Sequence, residues 1–451
     1  MKRKIWILLI VLISAALIGL GAYYVYPQKN PKSAAANTPV TAKTKHRVYL
    51  IGLDGASWNL IEGPLREGKL PNFQRLIQGG TYGPLKSFIP TKSPVLWTSI
   101  ATGKTQLKHG IGNYTAEKDG QIIPVSGGER ITKAFWNITS EYGLSTGVVN
   151  WWVTWPPEKV NGYMVSDRWR NASKKILHTE LTYPVNLVDQ LPNVGMTKDR
   201  FLEDCEKFRL PVTVHPAAES KNVDILYDGY KTYWGQDKAV REACRRLTEK
   251  HPVDVFGVVF RIIDVSSHLY WTYLDQNFVD GMRAKQQAGT MTDEDTKRID
   301  AAFTKIIEPI YIYADHILGD FLKHQDKDTT FIICSDHGFK FEEGRYGHSN
   351  MKTPPDGVVI LNGPAFRKNV RIEGATLLDI TPTLLYLEGI PVGQDMDGKV
   401  LFSAFNPEYL KKFPPTLVAS HDKGERQKGQ PASSEMDKEI LEDLRSLGYI
   451  Q

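Results

Sequence analysis

The chain has 451 residues, 24% of them charged and 41% apolar, with a formal net charge of +5. That composition excludes a disordered or collagenous chain and allows one large α/β core with insertions. The small net charge argues against a nucleic-acid polymer as partner, and three cysteines (Cys205, Cys244, Cys334) with no C-x-x-C pattern argue against a disulfide framework.

Lys2-Arg3-Lys4 precedes an uncharged run from Ile5 to Tyr26, with Trp6 at one end and Tyr23, Tyr24 and Tyr26 at the other. A run of roughly 20 apolar residues with aromatic ends reads as a transmembrane anchor over 1–26, cytoplasmic at its N-terminus. The expected location is therefore single-pass and extracytoplasmic, periplasmic or extracellular. A signal peptide, cleaved to release a secreted protein, is the alternative. Residues 27–46 have linker composition.

Arg47-Val-Tyr-Leu-Ile-Gly-Leu-Asp54-Gly55 then reads as a buried strand ending on an acid. Apolar residues between Trp58 and Ile77 recur at helical spacing, Pro71 restarts the helix and Gly79-Gly80 stops it. In Pro90-Thr91-Lys92-Ser93-Pro94 a hydroxyl-bearing loop runs into a small-residue helix. Ser93 falls at its N-terminal edge, where backbone N–H groups favour anions. Thr91 is its rival for a nucleophilic role. Gly103-Lys104-Thr105 fails as a P-loop, because the first glycine of that motif would fall on Thr98. No G-x-S-x-G elbow supports a serine-hydrolase triad.

Residues 144–168 read as strand and turn, their tryptophans as packing. Strand–helix alternation lapses over about 170–250, which reads as a cap insertion; His178, His215 and His251 there have no strand-end acid beside them. Cys205 and Cys244, also in this region, could pair in an oxidising compartment. Val253 to Asp264 reads as a second strand ending on an acid, with His268 four residues on. A helix over about 292–323 follows. Phe331-Ile-Ile-Cys334-Ser-Asp336-His337-Gly338 is a third strand ending on an acid, here with an adjacent base. The loop Gly344-Arg345-Tyr-Gly-His348, a short strand at 358–361 and a helix over 377–389 complete the domain, assigned to 47–405. The tail, 406–451, carries an amphipathic helix at 434–447 with a Ser434-x-x-Asp437 start, expected to dock back on the domain.

In open α/β sheets, ligands sit beyond the carboxyl ends of the strands. Three strand ends thus place Asp54, Asp264 and Asp336, with His268, His337 and His348, at one edge. Six such ligands suit two divalent metals with open positions, and mixed N and O donors favour Zn²⁺, with Mn²⁺ second. A metal pair holds both oxygens of an in-line phosphoryl displacement, and Ser93 fits as the activated hydroxyl.

These motifs resemble the alkaline phosphatase superfamily, most closely the type I phosphodiesterase/nucleotide pyrophosphatase family, from about Val48 to Leu401. The resemblance implies an alkaline-phosphatase-like sandwich with a central, mostly parallel sheet flanked by helices. It implies one metal held by Asp54, Ser93, Asp336 and His337 and a second by Asp264, His268 and His348. It further implies Ser93 as nucleophile through a phospho-seryl intermediate, and Asn113, one residue short in spacing, as a phosphoryl contact. Lys92 and Arg345 are further candidates for substrate contact. The expected function is phosphodiester hydrolysis, on a phosphate-ester small molecule or a lipid headgroup. The alternatives are a phosphoryl or headgroup transferase, a sulfatase or phosphomonoesterase, or a degenerate envelope binding protein.

Overall fold

The computed structural model describes residues 46–171, 181–211, 222–342, 344–349, 351–422 and 431–450. Ten strands build the main sheet: β1 (Arg47–Leu53), β2 (Gly80–Lys86), β3 (Thr146–Val149), β4 (Gly162–Val165), β5 (Thr182–Tyr183), β6 (Val255–Phe260), β7 (Thr329–Cys334), β8 (Gly357–Asn362), β9 (Val370–Arg371) and β10 (Ala375–Thr376). Their order is β9-β2-β8-β7-β1-β6-β3-β4-β5, with β10 also on β2. The centre, β7-β1-β6-β3-β4, is parallel; β8 and β5 run antiparallel to their neighbours, so the sheet is mixed.

Helices cover both faces: α1 (Trp58–Arg66), α2 (Pro71–Gln78), α3 (Ser93–Thr102), α4 (Phe135–Glu141), α5 (Asn222–Lys250), α6 (Ile262–Tyr270), α7 (Asp293–Leu322), α8 (Ile380–Leu387) and α9 (Asp437–Ser446). The central strands are apolar on both sides because each face has its own core. In β1, Tyr49, Ile51 and Leu53 join the core under α1, α2 and α7, while Val48 and Leu50 join the one under α3, α4 and α8. In β7, Phe331 and Ile333 divide from Ile332 and Cys334 in the same way.

Two glycines inside these strands make room for aromatic rings. A Cβ on Gly52 would stand 2.4 Å from Cη2 of Trp97, and one on Gly257 would stand 2.7 Å from Cζ of Phe135. Glycine in a strand interior marks such a close approach.

Several expectations are corrected. The strand expected to reach Asp264 ends at Phe260, and Ile262–Tyr270 is helical, so Asp264 lies in the first turn of α6 with His268 one turn on. Cys205 and Cys244, whose pairing the sequence left open, are free thiols. The expected anchor over 1–26 lies outside the described residues. Among the described residues, no helix is long and apolar enough to cross a membrane. The longest is α7, 30 residues, and it starts with Asp293, Glu294 and Asp295 while burying one face on the sheet. The expected transmembrane helix is corrected on this finding. The membrane as partner, the signal anchor and the extracytoplasmic or periplasmic location were expected from that helix, and nothing among the described residues supports them.

Candidate metal centre

Asp54 follows β1 directly, its N–H bonded to the Phe260 carbonyl at 2.9 Å, so the β1–β6 pairing delivers it to the sheet edge. Gly55 then turns the chain at φ 78°, where a Cβ would stand 2.9 Å from Cα of Asp264. Asp336 and His337 leave β7 in the same direction; the Ser335 hydroxyl donates to the His337 carbonyl at 2.7 Å. An antiparallel ribbon, Lys340–Glu342 against Arg345–Gly347, brings His348 back to them.

All six expected ligands meet, and all but His268 are fully buried. His337 Nε2 stands 3.5 Å from Asp54 Oδ1, 3.5 Å from Asp336 Oδ2 and 3.7 Å from Asp264 Oδ1. His348 Nε2 lies 3.5 Å and His268 Nε2 3.4 Å from that same Asp264 oxygen. The nitrogens of His268 and His348 are 2.8 Å apart. Two groups have ligand atoms within 4.8 Å of one another: Asp54, Asp336 and His337, and Asp264, His337 and His348.

Each carboxylate is split between two tasks. Asp54 Oδ1, Asp264 Oδ1 and Asp336 Oδ2 face the imidazoles without a hydrogen-bond partner, as does His337 Nε2. The second oxygen of each is held from behind. Asp54 Oδ2 accepts the indole N–H of Trp97 (3.1 Å) and of Trp152 (3.0 Å). Asp336 Oδ1 accepts the Gly55 N–H (3.4 Å), and Asp264 Oδ2 accepts the hydroxyl of Tyr449.

The electrostatics call for cations. Burial, then repulsion from Asp264, pushes Asp54 above the usual carboxylate range against the pull of His337, Arg261 and the Trp152 N–H. Burial, then Asp54 and Asp264, pushes Asp336 well above it. Burial also opposes the Asp264 charge, but His268, His348 and His337 outweigh it and hold this carboxyl low. Burial, with His337 and His268 beside it, pushes His348 well down, toward the neutral imidazole that ligates metals. Buried, like-charged acids with unpartnered oxygens beside imidazole nitrogens fit divalent cations.

Ser93 is the first residue of α3, fully buried, its hydroxyl without a hydrogen-bond partner. Its N–H donates to the hydroxyl of Tyr114 at 3.3 Å. Thr91 is buried in the preceding loop. Asn113 is exposed: its Oδ1 accepts from Lys92 Nζ at 2.9 Å and from the Tyr114 N–H at 2.9 Å. Its neighbour Tyr114 is the residue that reaches the Ser93 amide. Arg345 is exposed and donates to the Ser349 carbonyl at 2.6 Å. Lys104, of the failed P-loop, is ion-paired with Asp395 (2.5 Å) and Asp422 (2.6 Å).

Sequence reasoning missed Trp97, Trp152, Tyr114, Arg261 and Tyr449. Trp152 is corrected from packing to a partner of Asp54, and the Arg261 guanidinium stacks over its ring, 3.6 Å from the centroid. Gly52 was the available signal for Trp97.

No curated protein matches the sequence. Similar solved structures include human ectonucleotide pyrophosphatase/phosphodiesterase 5, 12% identical over 81% of this chain and 99% of that one, with a TM-score of 0.43. A 2-O GAG sulfatase is 12% identical over 84% and 76%, with a TM-score of 0.47. The phosphonate monoester hydrolase from Silicibacter pomeroyi is 13% identical over 79% and 76%, with a TM-score of 0.41. The model of the family described as type I phosphodiesterase/nucleotide pyrophosphatase matches residues 48–371. The chain belongs to that family, within the alkaline phosphatase superfamily, and is a metal-dependent phosphoric-ester hydrolase.

Proposed function

We propose that the enzyme is a two-metal phosphodiesterase that works through a phospho-seryl intermediate on Ser93. The observation that carries this reading is the set of buried atoms without partners: Asp54 Oδ1, Asp264 Oδ1, Asp336 Oδ2, His337 Nε2 and the Ser93 hydroxyl. Asp54, Asp336, His337 and Ser93 would hold one cation, and Asp264, His268 and His348 the other. The mixed oxygen and nitrogen donors favour Zn²⁺, with Mn²⁺ second. Such cations supply compensating charge and lower the pKa of a coordinated hydroxyl.

In the first half-reaction Ser93 Oγ attacks phosphorus, the P–O bond to one ester arm breaks, and that arm leaves as the alcohol with a proton. In the second, water attacks the phospho-serine and Ser93 leaves. The N-terminus of α3 faces the developing negative charge. The hydroxyl of Tyr114, which accepts from the Ser93 N–H, keeps its own proton for a phosphoryl oxygen. Lys92, Asn113 and Arg345 are proposed to contact the substrate beyond the phosphoryl group.

The test is purified protein stripped with EDTA, restored with Zn²⁺ or Mn²⁺, and assayed on bis-p-nitrophenyl phosphate, p-nitrophenyl phosphate and p-nitrophenyl sulfate. The expected result is metal-restored turnover, fastest on the diester. Ser93→Ala should lose about 10³-fold or more in kcat with metal content unchanged, whereas Thr91→Ala should not. Faster turnover of the monoester or the sulfate, or full activity in Ser93→Ala, overturns the reading. Product that appears only with an added alcohol acceptor converts it to a transferase.

A further inference from the structure

The tail carries a residue of the metal centre that no part of the family match contains. That match ends at residue 371, and Tyr449 lies far beyond it. Helix α9 is fastened to the domain along its length. Arg168 bonds Ser434 and Asp437, each at 2.6 Å, while its guanidinium stacks on Trp155 at 3.7 Å. Asn171 bonds Asp443 at 3.0 Å, and the Tyr233 hydroxyl bonds that of Ser446 at 2.8 Å. Met436, Leu444 and Leu447 are buried beneath it.

Gly448, at φ 75°, then ends the helix in a left-handed turn, as glycine does at helix C-termini. The turn aims Tyr449 at the site. Its ring stacks on Tyr114 (4.9 Å, 14°) and meets the edge of His268 (5.1 Å, 89°). Its hydroxyl donates to Asp264 Oδ2, the oxygen turned away from the imidazoles.

We infer that Tyr449 is a positioning residue for the second metal, supplied by the C-terminal tail. Its hydroxyl fixes the carboxylate plane of Asp264 so that Oδ1 alone faces His268, His337 and His348, and its ring backs Tyr114 against the Ser93 amide. Partners that orient a metal ligand from behind are worth about 10–100-fold in metal affinity. The tail thus completes the centre, and filling of the second position depends on the tail being docked. This rests on the two-metal reading above.

The experiment is chelator-competition titration of Zn²⁺ into the metal-free full-length chain, with bound zinc counted after dialysis. It compares wild type, Tyr449→Phe, which keeps the ring and deletes only the hydroxyl, and a chain ending at Gly448. Wild type should bind two zinc ions. Both variants should keep one affinity unchanged and weaken the other about 10–100-fold, with near-ultraviolet circular dichroism as in wild type. Two unchanged affinities in Tyr449→Phe overturn the role of the tail while leaving the two-metal reading intact. Equal weakening of both, with a lowered melting temperature, assigns the residue to packing and overturns it as well. Wild type that takes up no zinc overturns the underlying reading itself.

Discussion

Replacing Gly52 by Ala tests whether strand packing sets the metal centre. The added Cβ would stand 2.4 Å from Cη2 and 2.6 Å from Cζ3 of Trp97, and 3.0 Å from Cγ2 of Val259. Trp97 is fully buried, edge-on to Trp151 at 5.3 Å, and its indole N–H is spent on Asp54. It has no open direction in which to yield. Overpacking of this kind costs about 1–3 kcal/mol, and swinging the indole off a carboxylate adds about 1.5–3 kcal/mol. The expected loss in Gly52→Ala is therefore about 3–5 kcal/mol, read by urea unfolding of the metal-free chain. Trp97→Phe, which removes the colliding atoms, should cost about 2–4 kcal/mol alone. The double variant should then recover about 1–3 kcal/mol relative to the sum, because the alanine methyl enters the space the indole gave up. Costs that add within about 0.5 kcal/mol would refute the claim that Gly52 exists to seat Trp97 behind Asp54.

Trp152→Leu removes one donor from Asp54, and Trp152→Lys removes the same donor and adds a cation. Zinc titration should show the lysine variant about tenfold or more weaker than the leucine variant, since a nearby ammonium competes with the metal for the same carboxylate; equal affinities would contradict this. Burial, then the Arg130 charge, pushes the His109 imidazole down to about 3, where its ring accepts from the Ile111 N–H (3.1 Å) and pairs with Ser99 (2.9 Å). A folded-state value below the unfolded one means stability fully present above about pH 6.5 and lost as pH falls toward 3, on the order of 5 kcal/mol in all. His109→Gln should flatten that acid limb in unfolding measured from pH 7 to 4, and an unchanged slope would exclude His109 as its source. Zinc at 100 times its dissociation constant should stabilise the chain by about 2.7 kcal/mol per site, raising the melting temperature in a scan that EDTA reverses; a chelator-insensitive melting temperature would count against a metal centre.

The parts of this architecture legible in the sequence are those with a local signature. Buried parallel strands are runs of β-branched and aromatic residues, and an acid at the end of such a run stands out, as Asp54 and Asp336 do. Asp264 was legible as a ligand candidate but not as a helical residue. The run from Val253 through Ile263 is apolar apart from Asp254 and Arg261, and periodicity does not divide a buried strand from a buried helix. The aromatic partners were not legible at all. A tryptophan that supports Asp54 has the same local sequence context as one that fills a core, and only tertiary packing tells Trp152 from Trp151. The glycine inside a buried strand at position 52 is consistent with the close approach of Trp97 but does not by itself name that residue.

The way the three carboxylates are held has a common logic. Each keeps one oxygen free for the metals and gives the other to a neutral donor: two indoles for Asp54, a backbone N–H for Asp336, a phenol for Asp264. Indole and amide N–H groups have no lone pair to offer a metal and carry no charge to repel one. An arginine or lysine in their place would neutralise the carboxylate and compete with the cation. The fold does place a cation here, Arg261, but stacked over the Trp152 ring, 3.6 Å from its centroid. From there it still lowers the Asp54 pKa without taking a bond from it. The donors behind each acid thus orient it without neutralising it, leaving its free oxygen directed at the positions the metals would fill.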